Sequence, residues 1–292
     1  MKRVWGVVAG ALFGLLSMHA TASAANIFAE DGRFTDGFFF DYEKAFVNGL
    51  PIGPVTPDVL TALFNAGNKV QFLIEGEVQN TRAGGDTLFE AGPTDRVKFF
   101  GLQEVTNITT HSGTTHFDFG VPTSLVLTDV DGTLFTVPLG AGEIFQFHRG
   151  PGSALDSNGP TLRGDLPTSG SLFFSLGPDQ YFFSHPKADP IEGLAYLDQK
   201  FVVNSTGQVF ICDVSDINVP DGFGTTKGCF IATSEFELNP DSIALGGTSP
   251  WDFRSNDPAR VHAAAVPEVS SLWTLGMGLG SLGVFRRRKL WA

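Results

Sequence analysis

The sequence lacks the residues and motifs on which most enzymes depend. Its 292 residues include two cysteines and six histidines, and the histidines are spread along the chain. The serine-hydrolase motif Gly-x-Ser-x-Gly, the zinc motif His-Glu-x-x-His and a phosphate-binding loop are all missing. We therefore expect no catalytic activity, no metal and no cofactor.

Basic residues are also scarce. The chain has 19 Lys and Arg against 31 Asp and Glu, and six of the basic residues lie near the two ends. Without these six and Glu268, the remaining body carries a net charge of about −17. Nucleic-acid binding requires Lys and Arg to replace the counterions of the phosphates. The composition therefore excludes nucleic acid as a partner and disfavours adhesion of the body to an anionic membrane.

The first 24 residues have the pattern of a secretory signal peptide. Lys2 and Arg3 precede an apolar run over residues 4–16, and small residues at 20–24 provide a cleavage site. We predict cleavage after Ala24 or Ala25. Residues 25–262 then form the exported domain, and residues 263–292 form a tether and a tail.

The C-terminal tail combines a polar start, a short apolar segment and a basic end. Pro267 and Glu268 precede an apolar stretch over residues 272–285. The basic end consists of Arg286, Arg287, Arg288 and Lys289. Because Lys and Arg stay on the cytoplasmic side of a membrane, this order predicts that everything before Pro267 lies outside the cytoplasm. The apolar stretch is shorter than the roughly 20 residues of an untilted membrane-spanning helix, so we expect a temporary C-terminal anchor helix.

This tail resembles the PEP-CTERM sorting signal of exported Gram-negative bacterial proteins. That signal has a Pro-Glu-Pro element, a short apolar span rich in Leu and Gly, and a terminal arginine cluster; here Val269 stands where the second proline is usual. The resemblance is limited to residues 266–292. It implies an exosortase-type membrane processing enzyme as partner, anchoring in the inner membrane during sorting, and a final place at the cell surface or in the extracellular matrix. Exopolysaccharide is the further partner that a biofilm matrix implies.

The body of the sequence predicts an all-β fold. Short runs rich in Phe, Val, Ile and Thr recur between Gly, Asn, Asp and Pro, as is typical of a sandwich or jelly-roll-like domain. We also expect one or two short helices. The first has Thr56 as N-cap, Pro57 at its first position and Gly67 as its stop, and the second covers residues 190–196. Residues 149–170 form either a long surface loop or a boundary between two lobes.

The two cysteines, Cys212 and Cys229, predict one disulfide bond. Each lies in a strand-like run, and the expected compartment outside the cytoplasm permits disulfides. The bond closes a loop of about 18 residues and stabilises the fold by about 3 kcal/mol in the chain-entropy description. A reactive thiol with a histidine base has no support in the neighbouring sequence.

Two acidic patterns imitate catalytic motifs. The segment over residues 125–134 resembles the first motif of haloacid-dehalogenase-like phosphatases, in which the first Asp, here Asp129, attacks phosphorus and the second, here Asp131, is the acid/base. Another strand-like run follows, and Asp131-Gly132 is typical of a hairpin turn, so we interpret the segment as a hairpin. Glu75 and Glu77 have the spacing of one strand face and imitate a glycosidase pair, but we expect both to be exposed.

Carbohydrate binding is the main alternative to a structural function. Sugar sites usually use exposed Trp and Tyr, whereas the exported body has one tryptophan and three tyrosines and is otherwise rich in Phe. Trp251, Asp252 and Arg254 are the first candidates for ligand contact. The sequence therefore favours an exported, non-catalytic cell-surface or matrix protein, with a carbohydrate-binding module second and a secreted hydrolase third.

Overall fold

The computed structural model describes residues 26–54, 56–111, 114–156, 158–167, 170–185, 193–212, 214–219 and 224–265. These residues are mostly β-strand, with two short α-helices, and this confirms the prediction of a β-rich body. The signal peptide and the sorting tail lie outside the described residues, and so does the predicted anchor helix.

The described residues contain fifteen strands and two α-helices. The strands are β1 Phe34–Val47, β2 Leu50–Pro51, β3 Val70–Ala83, β4 Asp86–Glu90, β5 Arg96–His111, β6 Thr114–Gly120, β7 Val126–Thr128, β8 Leu134–Thr136, β9 Phe145–Gly150, β10 Ser171–His185, β11 Gly193–Asn204, β12 Val214–Val219, β13 Gly224–Gly228, β14 Phe230–Leu238 and β15 Phe253–His262. The helices are α1 Pro57–Asn65 and α2 Leu162–Asp165, and a 3-10 turn covers Ile243–Leu245.

The long strands form one antiparallel sheet that closes on itself. Its order is β2-β1-β15-β14-β11-β10-β6-β5-β3-β4, and β9 pairs with both β10 and β5. Because β1 pairs with β15 on one side and with β3 on the other, the sheet closes between β1 and β3. Closure gives the long strands neighbours on both sides and leaves few unpaired backbone groups at an edge. Side chains on one face of these strands therefore point into an enclosed interior.

Aromatic rings fill most of this interior. The ring centroids of Phe99 and Phe147, for example, lie 4.8 Å apart. Two glycines make room for the packing, because a Cβ atom on Gly76 would collide with the Phe99 ring and one on Gly101 with the Phe145 ring. The high phenylalanine content of the chain is thus largely used inside the sheet, where each buried ring contributes a large apolar area.

A second apolar layer lies on the outside of β1, β3 and β5. Its buried members are Phe46, Leu73, Phe100, Leu102, Leu127, Val137, Leu139, Leu162, Leu166 and Trp251. They come from the three strands, from the β7–β8 hairpin, from the region of α2 and from the chain just before β15. We call residues 151–156 and 158–166 the covering segment. Leu162 and Leu166 hold this segment against the sheet, in the region that the sequence predicts as a loop or a boundary.

The helix α1 forms as the sequence predicts. The Thr56 hydroxyl accepts a hydrogen bond from the Val59 N–H, and Pro57 occupies the first helical position. The helix ends at Asn65, and Gly67 follows with a φ of +84°. The second predicted helix is wrong over its described residues, because the chain from residue 193 onward belongs to β11, which pairs with β10 and β14. Pairing on both sides outweighs a weak local helix preference.

Candidate functional site

The three residues that the sequence puts forward for ligand contact do not form one surface. Trp251 is fully buried in the outer apolar layer, and its indole N–H donates to Asp165 Oδ2 at 3.2 Å. Arg254 lies on β15 and forms a largely exposed ion pair with Glu237 at 2.6 Å. Since the Trp251 ring presents no face to solvent, it offers no stacking platform for a sugar in this structure.

Asp252 lies in a buried polar network. Its Oδ2 accepts a hydrogen bond from Lys44 Nζ at 2.7 Å, and its Oδ1 accepts one from the Ser242 hydroxyl at 2.8 Å. The Lys44 and Asp252 side chains are only 9% and 1% exposed. Buried charges of this kind require their partners, and the removal of one partner is strongly destabilising. Asp252 therefore ties the chain before β15 to β1, and this is a structural contact.

The predicted disulfide bond between Cys212 and Cys229 is confirmed. Cys229 is buried directly before β14, and Cys212 lies beyond β11. The bond holds together two parts of the chain that are 17 residues apart. No described cysteine is left as a free thiol.

Glu75 and Glu77 lie on one face of β3, but the expectation that they are exposed is wrong. Glu75 is completely buried, and Glu77 is 5% exposed, because the covering segment lies over this face. Glu77 forms an ion pair with Arg96 and accepts a hydrogen bond from the Leu155 N–H at 2.8 Å. The Glu75 carboxyl has no hydrogen-bond partner among the described residues. Burial raises the pKa of Glu75 well above its usual value, and the Asp165 carboxyl raises it further.

The Asp129 segment forms the predicted hairpin between β7 and β8. Asp129 is buried, and its carboxylate accepts hydrogen bonds from the Leu162 and Arg163 N–H groups at 2.9 and 3.1 Å. The Arg163 guanidinium also pairs with Asp129 and with Asp131, each at 2.9 Å. The hydrogen bond from Arg163 lowers the pKa of Asp131. Both carboxylates thus hold the covering segment against the hairpin, and we call this arrangement the arginine clamp.

Another group of acidic side chains lies inside the closed sheet. Asp41 and Glu43 follow Phe39 on the inward face of β1, and Asp257 and Ser255 lie beside them on β15. The Ser255 hydroxyl donates to the Asp41 carboxylate, and Asp41 and Asp257 share a hydrogen bond. We call Asp41, Glu43 and Asp257 the interior acid cluster.

Burial keeps members of this cluster protonated. It raises the pKa of Asp41 well above the usual value, and the carboxyls of Asp257 and Glu43 raise it further. Burial, followed by the charge of Asp257, raises the pKa of Glu43 to about 8. Two carboxyl groups in contact cannot both ionise at low cost. We therefore expect Asp41 and Asp257 to share a proton at neutral pH.

A small cavity adjoins the interior acid cluster. It measures about 30 Å³ and is lined by Asp41, Asp257, Gln199 and surrounding phenylalanine rings. Gln199 is 2% exposed. Pockets for small molecules measure about 300–1,000 Å³. The cavity is therefore too small for a sugar or a peptide substrate, and the paired carboxyls do not make a hydrolase site in this structure.

The sequence contains a signal for this cluster that belongs to no known motif. Alternation along β1 puts Asp41 and Glu43 on the same face as Phe39, and the same period along β15 joins Asp257 to Val261. Acidic residues on the same strand face as buried aromatic residues indicate a polar site within the hydrophobic core. In the described residues, no group of three or more His, Cys, Asp or Glu side chains is arranged to hold a metal ion.

The sorting residues Pro267, Glu268, Arg286, Arg287 and Arg288 lie outside the described residues. Within the described part of the chain, neither α1 nor α2 has the length or the apolar character of a membrane-spanning helix. Comparison with known proteins adds no relative: no protein-family model matches the chain, and no curated protein matches its sequence.

Proposed function

We propose that this chain is an exported, non-catalytic protein of the cell surface or the extracellular matrix that is sorted through its C-terminal tail. The observation that carries the proposal is the order of Pro267 and Glu268, the apolar stretch over residues 272–285 and the arginines that follow. An exosortase-type membrane enzyme is the partner that would process this tail. The mature protein would then reside among exopolysaccharide in the matrix.

The disulfide bond supports this location. Cytosolic thiols are kept reduced, whereas disulfides persist in oxidising compartments outside the cytoplasm. Cys212 and Cys229 form such a bond. The chain after the last strand is fixed to the domain, because the Ala264 N–H, at the start of the predicted tether, donates to the Val209 carbonyl at 2.7 Å. A freely hanging tether would therefore start after Ala264.

The test compares wild type with a deletion of residues 267–292 by cell fractionation and mass analysis of both termini. We expect the wild-type chain at the surface or in the matrix, without its signal peptide and without its arginine cluster. The deletion variant should reach neither place. The substitution Val269→Pro, which restores the usual second proline, is the matched control and should be sorted normally. If the deletion variant has the same location and the same C-terminal processing pattern as wild type, the proposal is wrong.

A carbohydrate-binding module is the second candidate, and one cleft favours it. The cleft measures about 400 Å³ and opens on the outer face of β1, β14 and β15. Phe38 at its wall is 44% exposed, and the Arg82 guanidinium lies 5.9 Å from the centroid of that ring. An exposed ring beside an arginine suits an acidic sugar, since the ring can stack and the guanidinium can bind a carboxylate.

A polysaccharide array with the mature protein tests this second candidate. We expect binding of acidic polysaccharides that Phe38→Ser weakens. The control is Leu50→Ser, which removes an exposed apolar side chain outside the cleft. Binding to no polysaccharide, or equal binding by all three proteins, contradicts a site at Phe38.

A further inference from the structure

A short segment after β11 pairs with the last residues before the tail. The Ala264 N–H donates to the Val209 carbonyl at 2.7 Å, and Phe210 forms an antiparallel bridge with Ala263. Residues 209–211 therefore continue the sheet at the place where the chain leaves the body.

Two apolar side chains of this segment face solvent. The Phe210 ring packs inward and stacks on Phe201, with the ring centroids 3.9 Å apart. Because side chains alternate along an extended chain, Val209 and Ile211 point the other way, and they are 71% and 39% exposed. We call Val209 and Ile211 the exit patch. Exposed apolar side chains at such a position indicate contact with a partner rather than with the core.

The neighbours of the exit patch on β1 and β15 are an aromatic ring, an imidazole and an ion pair. The Ile211 N–H donates to the His262 carbonyl, and the His262 ring lies 4.5 Å from the ring of Phe34. Arg260 pairs with Asp36 at 2.7 Å, so these two charges compensate each other. Aromatic and apolar side chains bordered by polar groups suit the interface between lipid headgroups and acyl chains.

The predicted tether keeps the exit patch near any membrane that the tail enters. Seven residues, 265–271, separate Ala264 from the apolar stretch over residues 272–285. A fully extended chain of this length reaches roughly 30 Å, and a random coil spans about 15 Å. The headgroup layer on each side of a bilayer occupies about 5–8 Å of that distance. The exit patch therefore lies close to the headgroups once the apolar stretch is in the bilayer.

We propose that the exit patch rests on the lipid surface of the membrane during sorting, with the bilayer itself as its partner. This inference rests on the proposed function, because it requires residues 272–285 to enter the membrane. A tethered surface is present at a high effective concentration, so the weak attraction of two apolar side chains is sufficient. Docking would hold Pro267 and Glu268 at the headgroups, where an integral-membrane processing enzyme can reach them.

The first experiment uses methyl NMR of the mature chain, with its tail, in nanodiscs of phosphatidylcholine. A fraction of the lipid carries a nitroxide on its headgroup. Neutral lipid is chosen because the body carries a net charge of about −17 and would be repelled by anionic lipid. We expect the methyl signals of Val209 and Ile211 to lose most of their intensity beside the nitroxide.

The matched control is a pair of apolar side chains at the opposite end of β1. Val126 and Leu134 of the β7–β8 hairpin are 48% and 68% exposed. The Thr128 N–H of this hairpin donates to the Gly49 carbonyl at 2.8 Å, beyond the last residue of β1. Because β1 has 14 residues, the hairpin lies about 40 Å from the exit patch. We expect the control methyl signals to keep their intensity.

The results distinguish a failure of this proposal from a failure of the proposed function. If the chain does not co-elute with the nanodiscs, the tail does not insert, and the anchoring step of the proposed function fails together with this proposal. If the chain co-elutes but the exit patch and the control methyls lose the same intensity, or neither loses any, the exit patch proposal alone is wrong. A loss that appears only when an exosortase shares the nanodisc, or nuclear Overhauser effects from the patch to residues 272–285, would assign the patch to the enzyme or to the tail and would also contradict the proposal.

A second experiment separates attraction from the proximity that a short tether enforces. About twenty Gly and Ser residues inserted after Val266 roughly double the mean reach of the tether. We expect the Ala264 methyl signal of this lengthened chain still to lose intensity, and the double substitution Val209→Ser with Ile211→Ser to restore it. Val126→Ser with Leu134→Ser is the control pair and should leave the loss unchanged. If the lengthened chain shows no loss at Ala264, or the exit patch variant shows the same loss, the patch does not bind lipid.

Discussion

Asp129 and Asp131, outside the closed sheet, share one arginine, whereas Asp41 and Asp257, inside it, share a hydrogen bond with each other. In the arginine clamp, the cation lowers the pKa of Asp131. In the interior acid cluster, burial raises the pKa of Asp41. One acidic chain thus holds carboxyls that are stabilised as anions and others that are stabilised as neutral acids.

The pKa values of the arginine clamp and of the interior acid cluster shift in opposite directions because different parts of the chain pack against the two groups. The covering segment brings Arg163 and the N–H groups of α2 to Asp129, so the anion gains charge-assisted hydrogen bonds. The strands around Asp41 bring phenylalanine rings and glycine. Net charge therefore says little about how such a protein responds to pH, because the two groups contribute stability in opposite pH ranges.

The largest effect that we predict is the loss of the arginine clamp. Asp129→Ala leaves the Leu162 and Arg163 N–H groups without their acceptor inside the outer layer. Breaking a buried charged pair costs about 3–5 kcal/mol, and because Arg163 is partly exposed we expect the lower end of that range. Urea denaturation at pH 7 measures the free energy of unfolding.

Asp131→Ala is the matched control for the clamp. Asp131 binds the same guanidinium but is 40% exposed, so water can replace the contact. We expect a much smaller loss of stability than for Asp129→Ala. Equal losses would mean that the clamp acts through the arginine alone and that the capping of α2 by Asp129 is unimportant.

The next prediction concerns an acid that makes no hydrogen bond within the described part of the chain. Glu75 is buried without a partner, while Glu77, two residues along the same face, has Arg96 and the Leu155 N–H. Glu75→Met removes an unsatisfied polar group and keeps the size of the side chain, so we expect about 1–3 kcal/mol of stabilisation at pH 8. Urea denaturation of the wild type and of Glu75→Met at pH 8 measures this difference in the free energy of unfolding.

Glu77→Met should have the opposite sign. It leaves Arg96 and the Leu155 N–H without their acceptor, so the free energy of unfolding should fall. If both substitutions destabilise the protein, Glu75 has a partner that stabilises it, and the contrast between paired and unpaired acids on β3 does not hold.

Local features of this fold could be predicted from the sequence. The cap of α1 at Thr56, the hairpin after Asp129 and the disulfide bond depend on neighbouring residues or on a pair of rare ones. The alternation of strand residues indicates which side chains share a face, but not which face is buried. Asp41 and Ser255 are 214 residues apart, so no local pattern shows that β1 and β15 close the sheet around them.

Burial of Glu75 could not be predicted for a related reason. An alternating acidic pair on a strand is ordinarily exposed, and only the covering segment makes this face part of the core. Trp251 illustrates the same error. A single tryptophan suggests a ligand platform, but the outer layer needs a large buried side chain at that position. In both cases a distant segment decides the environment of the residue.

The pH dependence of stability gives a third prediction. The pKa of Glu43 in the folded state is raised from 4.5 to about 8, so the folded protein binds this proton more tightly than the unfolded chain. The contribution is complete below about pH 4.5 and is lost as the pH rises through about 8. We expect the Tm to fall between pH 7 and pH 9, and Glu43→Gln to flatten this slope. Glu90→Gln, at an exposed site, should keep the wild-type slope.

The smallest effect is spectroscopic and concerns the contact between the outer layer and the covering segment. Burial raises the pKa of Asp165 to about 6, against the hydrogen bond from the Trp251 indole, which lowers it. Protonation removes the charge that accepts this hydrogen bond, so the indole N–H resonance of Trp251 should titrate with a midpoint near pH 6. Assignment by Trp251→Phe and observation by ¹⁵N NMR measure it. Asp165→Asn should abolish the titration, whereas Asp156→Asn should lower the midpoint slightly, because the Asp156 charge raises the pKa of Asp165. If the resonance titrates unchanged in Asp165→Asn, a group other than Asp165 controls the Trp251 indole N–H. The contact between Trp251 and the covering segment would then not depend on the charge of Asp165.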